Sequence, residues 1–171
     1  MRGMSRPLIG EPLPLDLVNT WWNWQGARVD HFDDLRNVRA WLDEHGLPAD
    51  DDLERARERL VESRTAMRKA LAGDEDSLNS ILRHGSRRPL LRAGVVTEEV
   101  IVDDPAWRAA WIAAAGLARL VGERGERVRK CANPECVLWF DDVSKNGRRR
   151  WCSMETCGNR AKVNRYNRRH S

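Results

Sequence analysis

The sequence has no run of about 18 consecutive apolar residues, which a membrane-spanning helix would need. Met1 to Pro14 carry a little positive charge but no continuous apolar stretch. Neither a membrane span nor a secretory leader is therefore expected, and the expected location is cytoplasmic. Catalytic signatures are missing as well. The sequence has no glycine-rich phosphate loop, no Gly-x-Ser-x-Gly elbow and no His-Glu-x-x-His pair. His31, His45, His84 and His170 lack the spacing of a metal site or a catalytic pair and read as surface or edge residues. Without a recognisable nucleophile and base, the chain is not expected to be an enzyme. Internal repeats and long low-complexity linkers are absent too.

The sequence does carry 171 residues, 41% apolar and 33% charged, with eight tryptophans. That suffices for a packed core and for one domain plus a small module. The net charge of +4 hides an asymmetry. Residues 124–171 hold 13 Lys plus Arg against 5 Asp plus Glu, a net +8, whereas residues 1–123 hold 17 against 21, a net −4. A mildly acidic domain, 1–123, is thus expected before a basic module, 124–171, whose charge suits an anionic partner such as nucleic acid.

All four cysteines, Cys131, Cys136, Cys152 and Cys157, lie in the basic module as two Cys-x4-Cys pairs separated by fifteen residues. Two close pairs joined by a short insert can set four thiolates at the corners of a tetrahedron, which satisfies zinc. Neither pair is Cys-x-x-Cys, which sets aside a thioredoxin-like site. Two disulfides do not suit a chain without an export signal. An iron–sulfur cluster also takes four cysteines, and spacing alone does not separate it from zinc. A closed four-thiolate site leaves no coordination position for water, so the metal is structural.

Around the cysteines the pattern predicts strands at Glu126 to Lys130 and Val137 to Phe140, with a turn at Ser144-Lys145-Asn146-Gly147. Trp139 and Trp151 are expected to pack this small unit. Ser153 is suited to cap a helix from about Met154 to Arg168. On that helix Arg160, Asn164, Asn167 and Arg168 share one side, where Arg and Asn can read base edges. Lys162, Arg165 and Arg169 lie on a neighbouring side suited to phosphates.

These residues carry a resemblance. The string Arg149-Arg150-Trp151-Cys152-Ser153-Met154, followed by Cys157-Gly158-Asn159-Arg160 and Lys162, is similar to the CGNR zinc finger over residues 127–169. Upstream, Leu15-Asp16-Leu17-Val18-Asn19-Thr20 and Trp41-Leu42 resemble the ABATE domain, which usually precedes this finger in bacterial stress-induced transcription regulators. The resemblance implies zinc, a treble-clef or ribbon-like finger, and a DNA-binding transcription regulator. An alternative is a finger that meets an acidic protein surface of the transcription machinery without reading DNA.

The rest of the chain reads as mainly α with a small β-hairpin. Helices are expected at Leu15 to Trp22, His31 to His45, Asp51 to Ala72, Glu75 to Arg83 and Pro105 to Val121, the last stopped by Gly122. The hairpin is expected from Leu90 to Arg92 and Val95 to Val102 around Ala93-Gly94. Arg64 interrupts the apolar series 53, 56, 60, 67, 71, so its guanidinium falls on a buried stripe and requires partners. Asp16, Asn19, Thr20 and Arg64, with Arg68 at the edge, form a candidate polar pocket for a small anionic or amide effector. The plainer alternative is an internal ion pair of Asp16 with Arg64. Trp21, Trp22 and Trp24 read as packing residues before pocket residues. A homodimer formed through the helical domain is expected on geometry, because one small finger covers little DNA.

Overall fold

The computed structural model describes residues 6–48 and 52–163. The chain separates into two compact units: Met1–Asp30 with Leu120–Ser171, and His31–Arg119. Among the described residues, no helix is long and apolar enough to cross a membrane.

The unit His31–Arg119 is built on helices. After a short turn at His31–Asp33 come α2 (Leu35–Glu44), α3 (Leu53–Leu71) and α4 (Glu75–Leu82); α1 belongs to the other unit. Aspartates start all three, since Asp34, Asp52 and Asp74 each accept a hydrogen bond from a first-turn N–H. At the end of α2, Leu47 N–H bonds to the Leu42 carbonyl at 2.9 Å and Gly46 N–H to that of Asp43 at 3.1 Å. Gly46 has φ +60°, the left-handed conformation that this helix stop demands. The final helix α5 (Arg108–Arg124) is entered through Pro105–Trp107, where Asp104 accepts from Ala106 N–H. It runs two residues past Gly122, because a single helical glycine costs only about 1 kcal/mol.

The apolar stripes meet inside this unit. Phe32, Val38, Trp41 and Leu42 are buried, as are Leu60 and Met67 of α3, Ile81 of α4 and Trp107, Ala110 and Ala114 around α5. Ser63 ties α3 to α5 by donating to the Ala110 carbonyl. Arg64 is fully buried, with its guanidinium 5.6 Å from the Phe32 ring. The hairpin pairs β3 (Gly85–Arg92) with β4 (Val95–Val102), and Ala93 (φ +48°) and Gly94 (φ +78°) make the two-residue turn. Its first strand begins five residues before the expected Leu90. Pro89 does not break it, because a two-stranded ribbon is all edge and an edge position needs no N–H donor there.

The other unit joins both ends of the chain. Helix α1 spans Leu13–Val18 and is followed by a hairpin of β1 (Trp21–Trp24) and β2 (Ala27–Asp30). This corrects the expected helix from Leu15 to Trp22. The Asn19 and Thr20 N–H groups close the last helical turn, and Trp21, Trp22 and Trp24 then enter an extended ribbon. Gln25 (φ +49°) and Gly26 (φ +81°) supply a turn whose twist suits that ribbon. A third hairpin, the one expected within the finger, pairs β5 (Val128–Lys130) with β6 (Trp139–Asp141), so among the described residues two hairpins lie outside the finger where one was expected.

Candidate metal centre

The β5–β6 hairpin carries Cys131 at its inner end and Cys136 in the following turn. An Asn133-Pro134 turn shapes this first loop: the Asn133 side chain accepts from Glu135 N–H, and Cys136 N–H bonds to the Asn133 carbonyl. Cys152 follows the insert. Cys157 lies in one wide helical turn, Met154–Gly158, closed by Gly158 N–H on the Ser153 carbonyl at 3.0 Å. The Ser153 hydroxyl caps this turn by accepting from Thr156 N–H. Residues 159–163 continue as helix.

Among the described residues, the four cysteine Sγ atoms all lie within 4.8 Å of one another, and Cys131, Cys152 and Cys157 are buried. The Cys136–Cys152 and Cys152–Cys157 separations are 3.8 Å and 3.6 Å. A disulfide requires about 2.05 Å. Four thiolates at about 2.3 Å from a central zinc would stand about 3.8 Å apart along each edge. The sulfurs therefore have the spacing of a tetrahedral metal cage and exclude paired disulfides. Bound zinc would be held by all four sulfurs, fixing the hairpin to the helical turn, and its closed shell would do no hydrolytic work.

The thiols act strongly on one another. The Cys131 thiol is driven far below its usual range, chiefly by the hydrogen bond from Cys136 and then by that from Cys152. Cys136 and Cys152 are pushed up in return, mainly through their interaction with Cys131. A cation at the centre would favour the deprotonated form of all four thiols. The protein supports the sulfurs with donors: Cys152 N–H points at Cys131 Sγ and the Asn133 amide at Cys157 Sγ, each at 3.4 Å. Asn133 is 8% exposed.

The surroundings of the cage come from the distant N-terminal segment. Trp22 clusters with Cys131, Leu138, Phe140, Cys152 and Cys157, with Leu8, Val29 and Trp151 packed against them. Each large side chain so buried contributes roughly 1.5–3 kcal/mol. Asn19 grips β6 with both ends of its amide: Nδ2 donates to the Trp139 carbonyl at 2.8 Å and Oδ1 accepts from Trp139 N–H at 3.0 Å. The side chain acts as a one-residue strand. Glu11 accepts from Asp141 N–H at 2.9 Å, and Asn23 donates to the Glu135 carbonyl at 3.0 Å. Burial raises the Glu11 carboxyl above its ordinary value despite that bond and the nearby Arg149. The sequence marked Asn19 only as a candidate pocket residue; the strand that it grips lies 120 residues away.

The other expected site residues fall as follows. Arg160 and Lys162 are exposed on the helical residues after Gly158. Asn164, Arg165, Asn167, Arg168 and Arg169 lie outside the described residues. In the unit of both chain ends, Asp16 pairs with Arg6 at 3.2 Å and the Thr20 hydroxyl donates to the Leu17 carbonyl. Arg64 and the half-buried Arg68 belong to α3 of the other unit. Among the basic residues near the cysteines, Arg149 makes the closest engagement: it lies 4.2 Å over the Phe140 ring and donates to the Trp151 and Cys152 carbonyls.

Comparison with known families agrees with this geometry. Residues 127–170 match the CGNR zinc finger, and residues 11–124 match ABATE, described as a putative stress-induced transcription regulator. No curated protein matches the chain. With the four-cysteine metal site placed inside the first match and the second covering most of the remaining chain, the protein belongs to the ABATE family, described as putative stress-induced transcription regulators, and carries a CGNR zinc finger at its C-terminal end.

Proposed function

We propose that this protein is a zinc-dependent regulator that binds duplex DNA through the helix following its last cysteine. The observation that carries this reading is the position of Cys157. It lies in the wide turn that leads into helical residues 159–163, so zinc at the four sulfurs would anchor the start of a helix carrying exposed Arg160 and Lys162. The sequence continues with Asn164, Arg165, Asn167, Arg168 and Arg169, and the module's net +8 favours a polyanion. Arg160 would meet a base edge and Lys162 a phosphate. The acidic N-terminal part would sense an effector or bring two copies together on one site.

Selection from random duplex DNA with the zinc-loaded protein at physiological salt tests this. Enrichment of a defined motif, with Arg160→Ala shifting the preferred bases, is the expected result. Lys162→Ala should weaken binding evenly across sequences and flatten its salt dependence. Absence of any enriched motif from folded, zinc-loaded protein would overturn the sequence-specific reading.

A further inference from the structure

The insert between the two cysteine pairs reads in sequence as a plain charge run. It holds Lys145, Arg148, Arg149 and Arg150 against Asp141 and Asp142. The fold separates those signs. Asp142 is fully buried and accepts Ser144 N–H at 3.0 Å, the Ser144 hydroxyl, and Arg149 N–H at 2.9 Å. Asp141 is also buried and pairs with Arg124 at 2.8 Å. Arg149 turns inward over Phe140. Lys145, Arg148 and Arg150 are left exposed, so the insert turns three of its four cations outward and both carboxylates inward.

The loop is also braced from beneath. Arg127 donates to the Asp142 and Ser144 carbonyls at 3.2 Å and 2.9 Å. Gly147 has φ +61°, and a Cβ there would come within 2.9 Å of that guanidinium. Beside the loop runs a groove of about 510 Å³ lined by Ser144, Asn146, Arg148, Arg150, Trp151 and Ser153, among others, with no carboxylate among its described lining residues. Such bracing holds the loop backbone in place before a partner arrives, which lowers the ordering cost of binding.

We propose that this insert is a second DNA-contact surface, in which Lys145, Arg148 and Arg150 neutralise backbone phosphates without reading bases. The inference rests on the DNA-binding reading above and adds a site outside the C-terminal helix. Its signature is salt dependence, because each phosphate contact adds about 0.9 to the slope of log K against log salt.

The test measures duplex binding by the zinc-loaded full chain across a salt series. The triple variant Lys145→Ala, Arg148→Ala, Arg150→Ala should lose roughly 2.7 from the slope and keep the wild-type ranking of DNA sequences. Arg148→Lys with Arg150→Lys should keep the slope, and unchanged zinc content should confirm folding. An unchanged slope in the triple variant, while Arg160→Ala still alters base preference, would overturn this proposal and leave the helix reading intact. A changed sequence ranking would overturn the phosphate role. Absence of duplex binding by the wild type at low salt would overturn both.

Discussion

Replacing Asn19 by alanine tests whether the finger is built from one stretch of chain or from two. Asn19 is 1% exposed, and its amide makes both backbone hydrogen bonds of Trp139 on that edge, at 2.8 Å and 3.0 Å. Alanine would leave a carbonyl and an N–H without partners beside a small void. A buried orphan costs about 1–3 kcal/mol, and Trp139 is only half-buried, so the pair together should cost about 2–3 kcal/mol. Zinc binding and finger folding are linked, so that loss should appear as a zinc affinity weakened roughly 30- to 140-fold. Competition with a chromophoric chelator measures it, and thermal unfolding of the zinc form gives the parallel loss. Asn19→Asp should be worse than alanine, because it keeps the acceptor but sets an oxygen against the Trp139 carbonyl. If both variants bind zinc and melt like the wild type, β6 does not depend on the N-terminal clamp and the reasoning fails.

Further outcomes follow from the same geometry. Removing zinc with a strong chelator should loosen the cage and alter the fluorescence of Trp22, which packs beside three of the cysteines; unchanged emission on full metal loss would contradict that packing. Gly85→Ala should destabilise the unit His31–Arg119 by about 1–3 kcal/mol, because a Cβ there would stand 2.7 Å from the Ile101 carbonyl and 2.9 Å from the Trp111 ring; a wild-type melting curve would refute it. Glu11 has a folded-state pKa raised above 4.5 by burial, so the folded form holds its proton more tightly than the unfolded form. Wild type should then lose stability relative to Glu11→Gln as pH rises from 4.5 through the elevated value, with a level difference above it, as denaturant unfolding at stepped pH would record. A difference that grows in the opposite direction would show that the Asp141 N–H bond, with Arg149, outweighs desolvation.

Local chemistry made much of this protein legible in its sequence. Four cysteines at two equal spacings pointed to the metal centre, because two close pairs joined by a short insert can set four thiolates at the corners of a tetrahedron. The helices α2 and α3 followed from their apolar periodicity, since a stripe acts within a few residues, while the aspartate caps that start α2 and α4 came only with the structure. The Ala93-Gly94 turn was readable for the same reason. Arg64 stood out on an apolar stripe, and the structure buries it.

What the sequence could not convey depends on partners far along the chain. Trp21 and Trp22 looked like the end of a helix because the period of so short a segment is ambiguous, and the paired strand Ala27–Asp30 settles the extended form. Asn19 holds a strand 120 residues away, and no local pattern encodes that register. The arginine run 148–150 is uniform in sequence, yet the buried carboxylate of Asp142 and the Phe140 ring draw Arg149 inward and leave its neighbours outside. Residue type and spacing thus determined which chemistry this chain holds, while long-range hydrogen bonds and shared burial decided which side chains frame the thiolates and which charges face a partner.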